Sequence, residues 1–540
     1  SRIKPGYRLV AISEDLGVLS SKIPETIRKA QAIADKYDLL LTTFGHIGDG
    51  NVHTTFVTDM RSQDQWDRLK PAADELAEIA LEMGGTITAE HGTGLARAPY
   101  IEKQLGPALD VMRSIKKALD PNGILNPGKM GLDKKKHDSY DYFAFKSLLE
   151  HPEGLNSFGY DADNEILACI NCGFCRLGCP TYDVTQLESR NARGRNILAF
   201  NLMTGETGPS KELANSFYTC TTCNSCTQFC PAHIQVDEII QKGREKLFAS
   251  GFTPEPVMAL RDSISNTNNV YAATREDRIA IYPSSIKKRL ETGQLKKKAG
   301  TLLFMGCVSS YLDMKIVPSF FKIMDAAGVD YTMLGKDEIC CGFPLHLMGD
   351  QEKFVQNARN LIDLIKATGA KELVTPCAGC YKTFRKYYPE AGDLGVELFH
   401  SVHYIQRLIE EKKIQLGGDL GKKITYHDPC DLGRAFQIFD EPREILKAIP
   451  GIDFIEMKRN RLMARCCGGG GSVMALEPEL SADMAAVRVK DAVEVDAEII
   501  VSGCSACKDN LRKGVKAIPK DERPKMKVMD ITEIVANAII

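Results

Sequence analysis

From Ser1 to about Leu132, apolar and polar residues alternate between helical and strand patterns. Apolar side chains recur every three or four residues from Ile23 to Tyr37 and from Leu69 to Met83, which predicts two amphipathic helices. The apolar runs Leu39 to Phe44 and Val52 to Val57 predict strands between these helices. This part of the chain is therefore expected to be a mixed α/β module.

The C-terminal half contains an internal repeat of cysteines that follow apolar, strand-like runs. Each copy has a lone cysteine, then two adjacent cysteines, then a C-x2-C pair, with helical patterns between the strands. This alternation predicts parallel sheets, whose ligands bind beyond the carboxyl ends of the strands. We name the copies the first five-cysteine set (Cys307, Cys340, Cys341, Cys377 and Cys380) and the second five-cysteine set (Cys430, Cys466, Cys467, Cys504 and Cys507).

The charge balance and the cysteine content limit which partners and which cellular compartment can be expected. Of 540 residues, 69 are Lys or Arg and 71 are Asp or Glu, so no basic field exists and nucleic acid is not an expected partner. No apolar run approaches the roughly 18 residues that span a bilayer, so any membrane contact is expected to be peripheral. The 18 cysteines are clustered in a long chain, which indicates metal binding and not disulfide bonds. Metal-binding thiolates need a reducing compartment, so the protein is expected in the cytoplasm or at the inner face of the cell membrane.

Two cysteine runs of identical spacing lie between these two parts of the chain. Each reads C-x2-C-x2-C-x3-C-P, which resembles the bacterial two-cluster ferredoxins, where the fourth cysteine of each run binds the other cluster. Paired structural zinc sites are the weaker alternative, because zinc leaves two cysteines of each run unexplained. The resemblance implies one [4Fe-4S] cubane on Cys169, Cys172, Cys175 and Cys230, and a second on Cys220, Cys223, Cys226 and Cys179.

Two arginines, Arg193 and Arg195, lie between the cysteine runs. Their positive charge would raise the potential of a nearby cluster. The alternative is that both lie on a solvated helix face.

The motifs CCGFP and CCGGGG, with PCAGC and GCSAC, resemble the cysteine-rich domains of the heterodisulfide reductase catalytic subunit. The resemblance runs from about Thr301 to Lys513, and neither set lacks a cysteine. In that family each set holds a non-cubane [4Fe-4S] cluster, and a disulfide is reduced at such clusters, so two non-cubane clusters are implied here. His346 and His427 lie close to the motifs, either as hydrogen-bond or proton donors or as ordinary packing residues.

In the N-terminal module, two histidines flank a glycine-rich turn, GHIGDGNVH, and an EHG triplet follows. Two imidazoles and a carboxylate, from His46, His53 and Glu90, suit a divalent metal with an open position. The adjacent His91 adds a third histidine to this group.

GHIGDGNVH, AEHGTG and DPNGILNPGK together resemble the C-terminal part of FAD-linked oxidases of the D-lactate, glycolate and D-2-hydroxyglutarate dehydrogenase family. The resemblance implies a zinc-like ion on His46, His53 and Glu90 that polarises a 2-hydroxyl group, with His91 as the base. It also implies that Asn126 and Lys129 approach FAD. That family binds FAD mainly through a separate preceding domain, so a longer polypeptide or a partner protein is expected to supply it.

These patterns predict a multidomain α/β and α protein. It combines an α+β cap-type module, a helical ferredoxin-like module for two [4Fe-4S] clusters and two Rossmann-like cysteine-rich domains. The predicted boundaries are 1–133 for the cap-type module, 134–160 for a linker, 161–248 for the dicluster module, 249–300 for a second linker, and 301–415 and 416–540 for the two cysteine-rich domains.

The expected function is oxidation of a 2-hydroxy acid with FAD, with electrons passing through cubane to non-cubane clusters. The first alternative is disulfide reduction at the C-terminal clusters. The second is a non-catalytic electron-transfer protein that docks a flavoprotein, although a scaffold has no use for the histidine motifs. Expected partners are an FAD-binding domain or subunit, an electron-transfer flavoprotein or another redox protein, and a small 2-hydroxy acid.

Overall fold

The computed structural model describes residues 4, 6–59, 61–132, 158–292, 295, 298–418 and 420–540. Most of the predicted linker 134–160 lies outside the described residues. The chain forms two compact units, Ser1–Cys172 with Ala199–Gly208, and Gly173–Leu198 with Pro209–Ile540. Within the described ranges, no helix is both long enough and apolar enough to cross a bilayer.

The first unit is built on an antiparallel sheet with one long, buried central strand. Strand β4 (Asn51–Asp59) pairs with β1 (Tyr7–Val10), β2 (Asp15–Gly17) and β3 (Leu40–Phe44). The helices of this module are Ile23–Lys36, Gln63–Glu82, Ile101–Leu105 and Ala108–Leu119. The first two pack against each other and against β4, so both helices and both strands predicted here are confirmed.

The segment that carries the two cysteine runs is helical, as its pattern predicts. Short helices separate the cysteines, and the α-helices are Tyr160–Leu167, Pro180–Thr185, Ala192–Met203, Lys211–Tyr218, Ser225–Phe229 and Val236–Ala249.

The stretch 249–300, expected to be an irregular linker, instead contains three helices: Glu255–Thr267, Arg275–Ala280 and Ser284–Glu291. The second begins with a capping box between Thr274 and Asp277. From this helix Arg278 enters the core of the first repeat, where Nη1 lies 2.6 Å from Glu338 Oε1. The stretch is thus part of the folded C-terminal structure.

Each C-terminal repeat has a four-stranded parallel sheet. In both sheets the first strand in sequence lies between the second and the third, and the fourth lies at the edge beside the third. The first contains β5 (Thr301–Leu303), β6 (Tyr331–Met333), β7 (Glu372–Thr375) and β8 (Glu397–His400). The second contains β9 (Lys422–His427), β10 (Ile452–Phe454), β11 (Ile499–Ser502) and β12 (Lys527–Asp530). The predicted parallel sheets are therefore confirmed.

Helices connect the strands in both repeats. In the first repeat they are Cys307–Tyr311, Ile316–Ala326, Phe343–Met348, Gln351–Ala367, Ala378–Lys382 and Ser401–Glu410. In the second they are Gly433–Phe436, Asp440–Lys447, Val473–Leu476, Pro478–Val493, Ser505–Ala517 and Ile531–Ala538.

The two repeats share one apolar core and are joined by reciprocal buried ion pairs. Lys382 of the first repeat lies 2.9 Å from Asp431 of the second. Conversely, Lys508 of the second lies 2.5 Å from Asp313 of the first and also contacts Glu533. Each lysine follows the C-x2-C pair of its own repeat. The pairs therefore fix the two cysteine sets relative to each other.

Replacing Lys508 with Met should lower the free energy of unfolding of the full chain by about 3–5 kcal/mol, because Asp313 and Glu533 stay buried without their cation. Chemical denaturation followed by circular dichroism measures the loss. The control is Lys513→Met, since Lys513 is half-exposed in its pair with Asp509. Equal, small losses in both variants would contradict a structural role for the buried pair.

Candidate functional site: the cysteine sets and the histidine cluster

The cysteines of the repeats lie just beyond the carboxyl ends of four strands. Cys307 follows β5, Cys377 follows β7, Cys430 follows β9 and Cys504 follows β11. Since parallel strands end at the same edge of a sheet, each repeat brings its lone cysteine and its C-x2-C pair together. The adjacent pair of each repeat reaches the same place from a loop.

Within the first five-cysteine set, the thiols contact one another in a row. Hydrogen bonds join Cys307 to Cys340, Cys340 to Cys341, Cys341 to Cys380 and Cys380 to Cys377. The Gly342 backbone N–H also donates to Cys340 Sγ at 3.4 Å. Five buried or half-buried thiols thus converge from three chain segments, which fits an iron-sulfur cluster.

The second five-cysteine set has the same arrangement. Cys466 contacts Cys430 and Cys467, and Cys467 Sγ lies 3.3 Å from Cys507 Sγ. The Gly468 N–H donates to Cys466 Sγ at 3.3 Å. Gly468 has φ +80, and a Cβ there would lie 2.7 Å from the Ser481 carbonyl oxygen, so the third residue of the CCG motif must be glycine.

The two sets meet at their C-x2-C pairs, where Cys377 contacts Cys504. Hydrogen bonds from Cys380 and then Cys504 hold the pKa of Cys377 well below its ordinary value. Those from Cys466 and Cys507 do the same for the pKa of Cys467. Each set therefore has a thiol that ionises readily, and thiolate is the form that binds iron.

The cysteines assigned to the second cubane line one pocket of the second unit: Cys179, Cys220, Cys223 and Cys226. The buried Arg195 lies beside them, with Nη1 donating to Cys179 Sγ at 4.0 Å, so for this residue the solvated-face alternative is wrong. Arg193 instead pairs with Glu188 at 2.6 Å.

The cysteines assigned to the first cubane are divided between the units. Cys169 and Cys172 end the first segment of the first unit, and Cys175 and Cys230 belong to the second unit. Their assignment to one cluster stays a prediction.

The second cubane pocket adjoins the second five-cysteine set, because Cys223 contacts Cys466 through their side chains. Two glycines of CCGGGG make this approach possible. A Cβ on Gly470 would lie 2.6 Å from the Thr221 carbonyl oxygen, and one on Gly471 would lie 2.0 Å from that of Cys220. The three groups of thiols therefore follow one another through the second unit.

A buried arginine that no sequence motif indicated, Arg434, bridges this junction. Its Nε donates to the Cys223 carbonyl and its Nη1 to the Ala464 carbonyl, both at 2.7 Å. Nη2 has no hydrogen-bond partner among the residues that the structure describes. Burial opposes its charge, but neighbouring cysteines, Cys223 first, raise the pKa of Arg434 above its ordinary value. The guanidinium thus faces thiols of both sites.

In the first unit, the predicted metal ligands converge on one carboxylate oxygen. His46 Nε2 lies 3.2 Å and His53 Nε2 3.1 Å from Glu90 Oε1. His91 Nε2 lies 3.4 Å from the same oxygen, and its ring stacks on that of His53 with centroids 4.9 Å apart. Two imidazoles and a carboxylate at these distances fit a divalent ion, and the donor set suits zinc.

Three further residues, Glu14, Asp15 and Arg97, organise this cluster. The pairing of β2 with β4 sets Asp15 opposite His53, and Asp15 Oδ2 accepts from the backbone N–H groups of Glu90 and His91. Glu14 accepts from His91 Nδ1 at 2.8 Å and from Arg97 Nη2 at 2.9 Å. Glu14 and Asp15 stand in SEDLG, whose last three residues form β2, and no sequence motif indicated them.

The two residues expected near FAD lie on a neighbouring turn. Asn126 is exposed with φ +45, and Lys129 begins the 3-10 turn Lys129–Gly131. The Met130 N–H donates to the Gly94 carbonyl at 2.8 Å, which ties this turn to the loop after Glu90. Their role towards FAD stays a prediction.

The two histidines near the cysteine motifs have different surroundings. The His346 ring lies 3.9 Å from that of Tyr387 in a tilted contact, and His346 also contacts Gln351. Burial lowers the pKa of His346 to about 4. This arrangement fits the packing alternative. His427 instead contacts the thiol of Cys467.

Three family models match the chain in separate regions. The C-terminal domain of FAD linked oxidases matches residues 2–130, the 4Fe-4S dicluster domain matches 165–234, and the cysteine-rich domain matches twice, at 301–385 and 424–512. The chain therefore combines a module of FAD-linked oxidases with iron-sulfur domains.

Several curated proteins are similar to about 70% of the chain. A component of the dihydromethanophenazine:CoB--CoM heterodisulfide reductase from Methanosarcina barkeri is 33% identical over 396 residues, which cover 69% of this chain and 94% of that protein. A probable iron-sulfur-binding oxidoreductase, FadF, from Bacillus subtilis is 28% identical, over 70% of this chain and 60% of its own length. An EtfAB:quinone oxidoreductase from Syntrophomonas wolfei is 25% identical, over 72% and 60%.

Replacing His53 with Ala should lower the zinc content of the purified chain well below that of the wild type, because Glu90 and His46 alone form an incomplete ligand set. Mass spectrometry of bound metal after exhaustive dialysis measures occupancy. His403→Ala, which removes an imidazole beside Glu441 in the second unit, is the control. Unchanged zinc in both variants would remove this cluster as a metal site.

Proposed function

Because the chain belongs to the family of this heterodisulfide reductase component, we propose that it is an iron-sulfur oxidoreductase that reduces a disulfide at its two five-cysteine sets. The reaction consumes two electrons and two protons and yields two thiols. The electrons come from a reduced flavin of the same complex. The substrate is a heterodisulfide, the class of substrate that the relative's name describes.

The observation that carries this proposal is the contact between Cys377 and Cys504, which makes the two complete sets face each other. A cubane needs four thiolates, and each set offers five. The surplus is expected where a cluster is opened for chemistry. Cleavage of one S–S bond needs two electrons. Two sites that face each other can each provide one of them.

We assign four clusters to the chain. The cysteine runs would hold two cubanes, and the five-cysteine sets two non-cubane [4Fe-4S] clusters in two Rossmann-like domains. When bound, these clusters supply one-electron transfer. The side-chain contacts of Cys223 with Cys466 and of Cys504 with Cys377 support a linear order: second cubane, second set, first set.

Oxidation of a 2-hydroxy acid in the first unit is the second candidate activity, and the histidine cluster favours it. His91 donates its Nδ1 hydrogen to Glu14, so Nε2 is the basic nitrogen. It would accept the hydroxyl proton of a substrate held by the ion on His46, His53 and Glu90. Bound FAD supplies the hydride acceptor, and the product is a 2-oxo acid.

An exposed apolar stripe on the first unit is where the FAD-binding domain would dock. Val111, Ile115 and Leu119 lie on successive turns of helix Ala108–Leu119, and Ile124 and Leu125 follow; all five are more than half exposed. Asn126 adjoins this stripe. An FAD-binding domain or partner protein would therefore cover it and reach Asn126 and Lys129 together.

Replacing Cys341 or Cys467 with Ser should abolish disulfide reduction by the chemically reduced full chain, because each variant breaks one five-cysteine set. Anaerobic iron analysis should give about 16 atoms per wild-type chain, from four clusters of four. Cys172→Ser, which alters only a cubane ligand, is the control: with dithionite reducing the other clusters directly, it should keep part of the activity. About eight irons or fewer in loaded wild type, the content of two cubanes alone, would contradict the proposal.

Replacing His91 with Ala should lower kcat for the 2-hydroxy acid in the complete flavin-containing complex by about 100-fold or more, the contribution of a general base. Iron and zinc contents should stay at wild-type levels. Stopped-flow flavin reduction measures the step. Near wild-type kcat would exclude His91 as the base, whereas loss of zinc as well would assign it to the metal site.

A further inference from the structure

His427 lies at the end of β9, fully buried, between an arginine and the second five-cysteine set. The Nε of Arg488 donates to His427 Nδ1 at 3.2 Å. A ring nitrogen of His427 lies within 4.8 Å of the Cys467 and Cys507 sulfurs, and His427 contacts the Cys467 side chain. His427 Nε2 has no hydrogen-bond partner in the described part of the chain, so it is free to donate to a sulfur of the set.

Arg488 determines which ring nitrogen of His427 carries the hydrogen. A guanidinium only donates, so Nδ1 must present its lone pair to Arg488, and the hydrogen must sit on Nε2. Arg488 is itself fixed, since its Nη1 donates to the Arg459 carbonyl at 2.7 Å and to Asp491 at 2.9 Å. A ring with hydrogen on Nε2 is a donor and has no lone pair there for iron.

The first repeat has nothing equivalent at this position. Counting back three residues from the lone cysteine of each repeat gives His427 before Cys430 and Phe304 before Cys307. Phe304 is fully buried and packs edge-on against Phe384 at 5.0 Å. The two sets otherwise have the same order of cysteines and the same hydrogen bond from a glycine N–H to the first cysteine of the adjacent pair. The exchange of His427 for Phe304 is therefore a specific difference between them.

We propose that His427 donates a hydrogen bond to the Cys467 sulfur of a cluster on the second set, and that Arg488 is the positioning residue that holds His427 in the donating tautomer. The bond stabilises the reduced, more negative cluster and raises its potential above that of the first set. The proposal rests on the proposed function only in that the second set binds a cluster.

The test is an anaerobic redox titration of the full chain followed by EPR, with iron analysis of every sample. His427→Phe installs the residue of the first repeat and should shift one midpoint to a lower potential, leaving the others unchanged. The affected signal should be the one that Cys467→Ser removes. Arg488→Lys keeps the charge but not the fixed donor geometry, so it should shift the same midpoint in the same direction. Phe304→Leu is the packing control and should leave that midpoint unchanged.

A second measurement does not depend on the variants folding. Wild-type protein with 15N-labelled histidine should show one weak 15N coupling and one exchangeable deuteron coupling at the second-set cluster in pulsed EPR. A strong, directly bonded coupling, or no coupling, overturns the hydrogen bond. Full iron in His427→Phe with an unshifted midpoint also overturns it, while the proposed function stands. Wild-type iron of about eight atoms or fewer overturns both.

Discussion

The second unit depends on bringing five thiols together from segments far apart in the chain. Parallel strands solve this problem, because β5 and β7 end at one edge of their sheet, as β9 and β11 do in the other. The same constraint explains the buried lysines after each C-x2-C pair. Each lysine reaches an acid of the other repeat, which aligns the two sheet edges so that Cys377 meets Cys504. The sheet packing and the buried ion pairs therefore both serve to hold the two five-cysteine sets against each other.

Several arginine side chains of the second unit are buried beside cysteines. Arg195, Arg278 and Arg434 are each almost fully buried and lie beside cysteines of three different groups. Arg278 also has a carboxylate partner in Glu338, whereas Arg434 binds backbone carbonyls. Burying a guanidinium is costly unless negative charge is nearby, and thiolates with their clusters provide it. These arginines make the folded chain receptive to negatively charged clusters.

The sequence predicted the elements that have a strong local pattern. The strands before Cys307, Cys377, Cys430 and Cys504 could be recognised from apolar runs and from the repeat. The spacing of His46 and His53 likewise indicated that their side chains lie together. Residues such as Glu14, Arg97 and Arg434 could not, because their roles come from contacts with partners far away in sequence. The helices of 249–300 were missed since their apolar faces are short, although the Thr274–Asp277 box was a usable signal.

The glycines of CCGGGG have a consequence for the biosynthesis of the holoprotein. Gly470 and Gly471 let the backbone of Thr221 and Cys220 lie directly against the loop that carries Cys466 and Cys467. Cys466 and Cys467 are both buried beside this contact. Iron and sulfide that assemble on these cysteines would therefore have to reach them before the loop and the dicluster segment pack together.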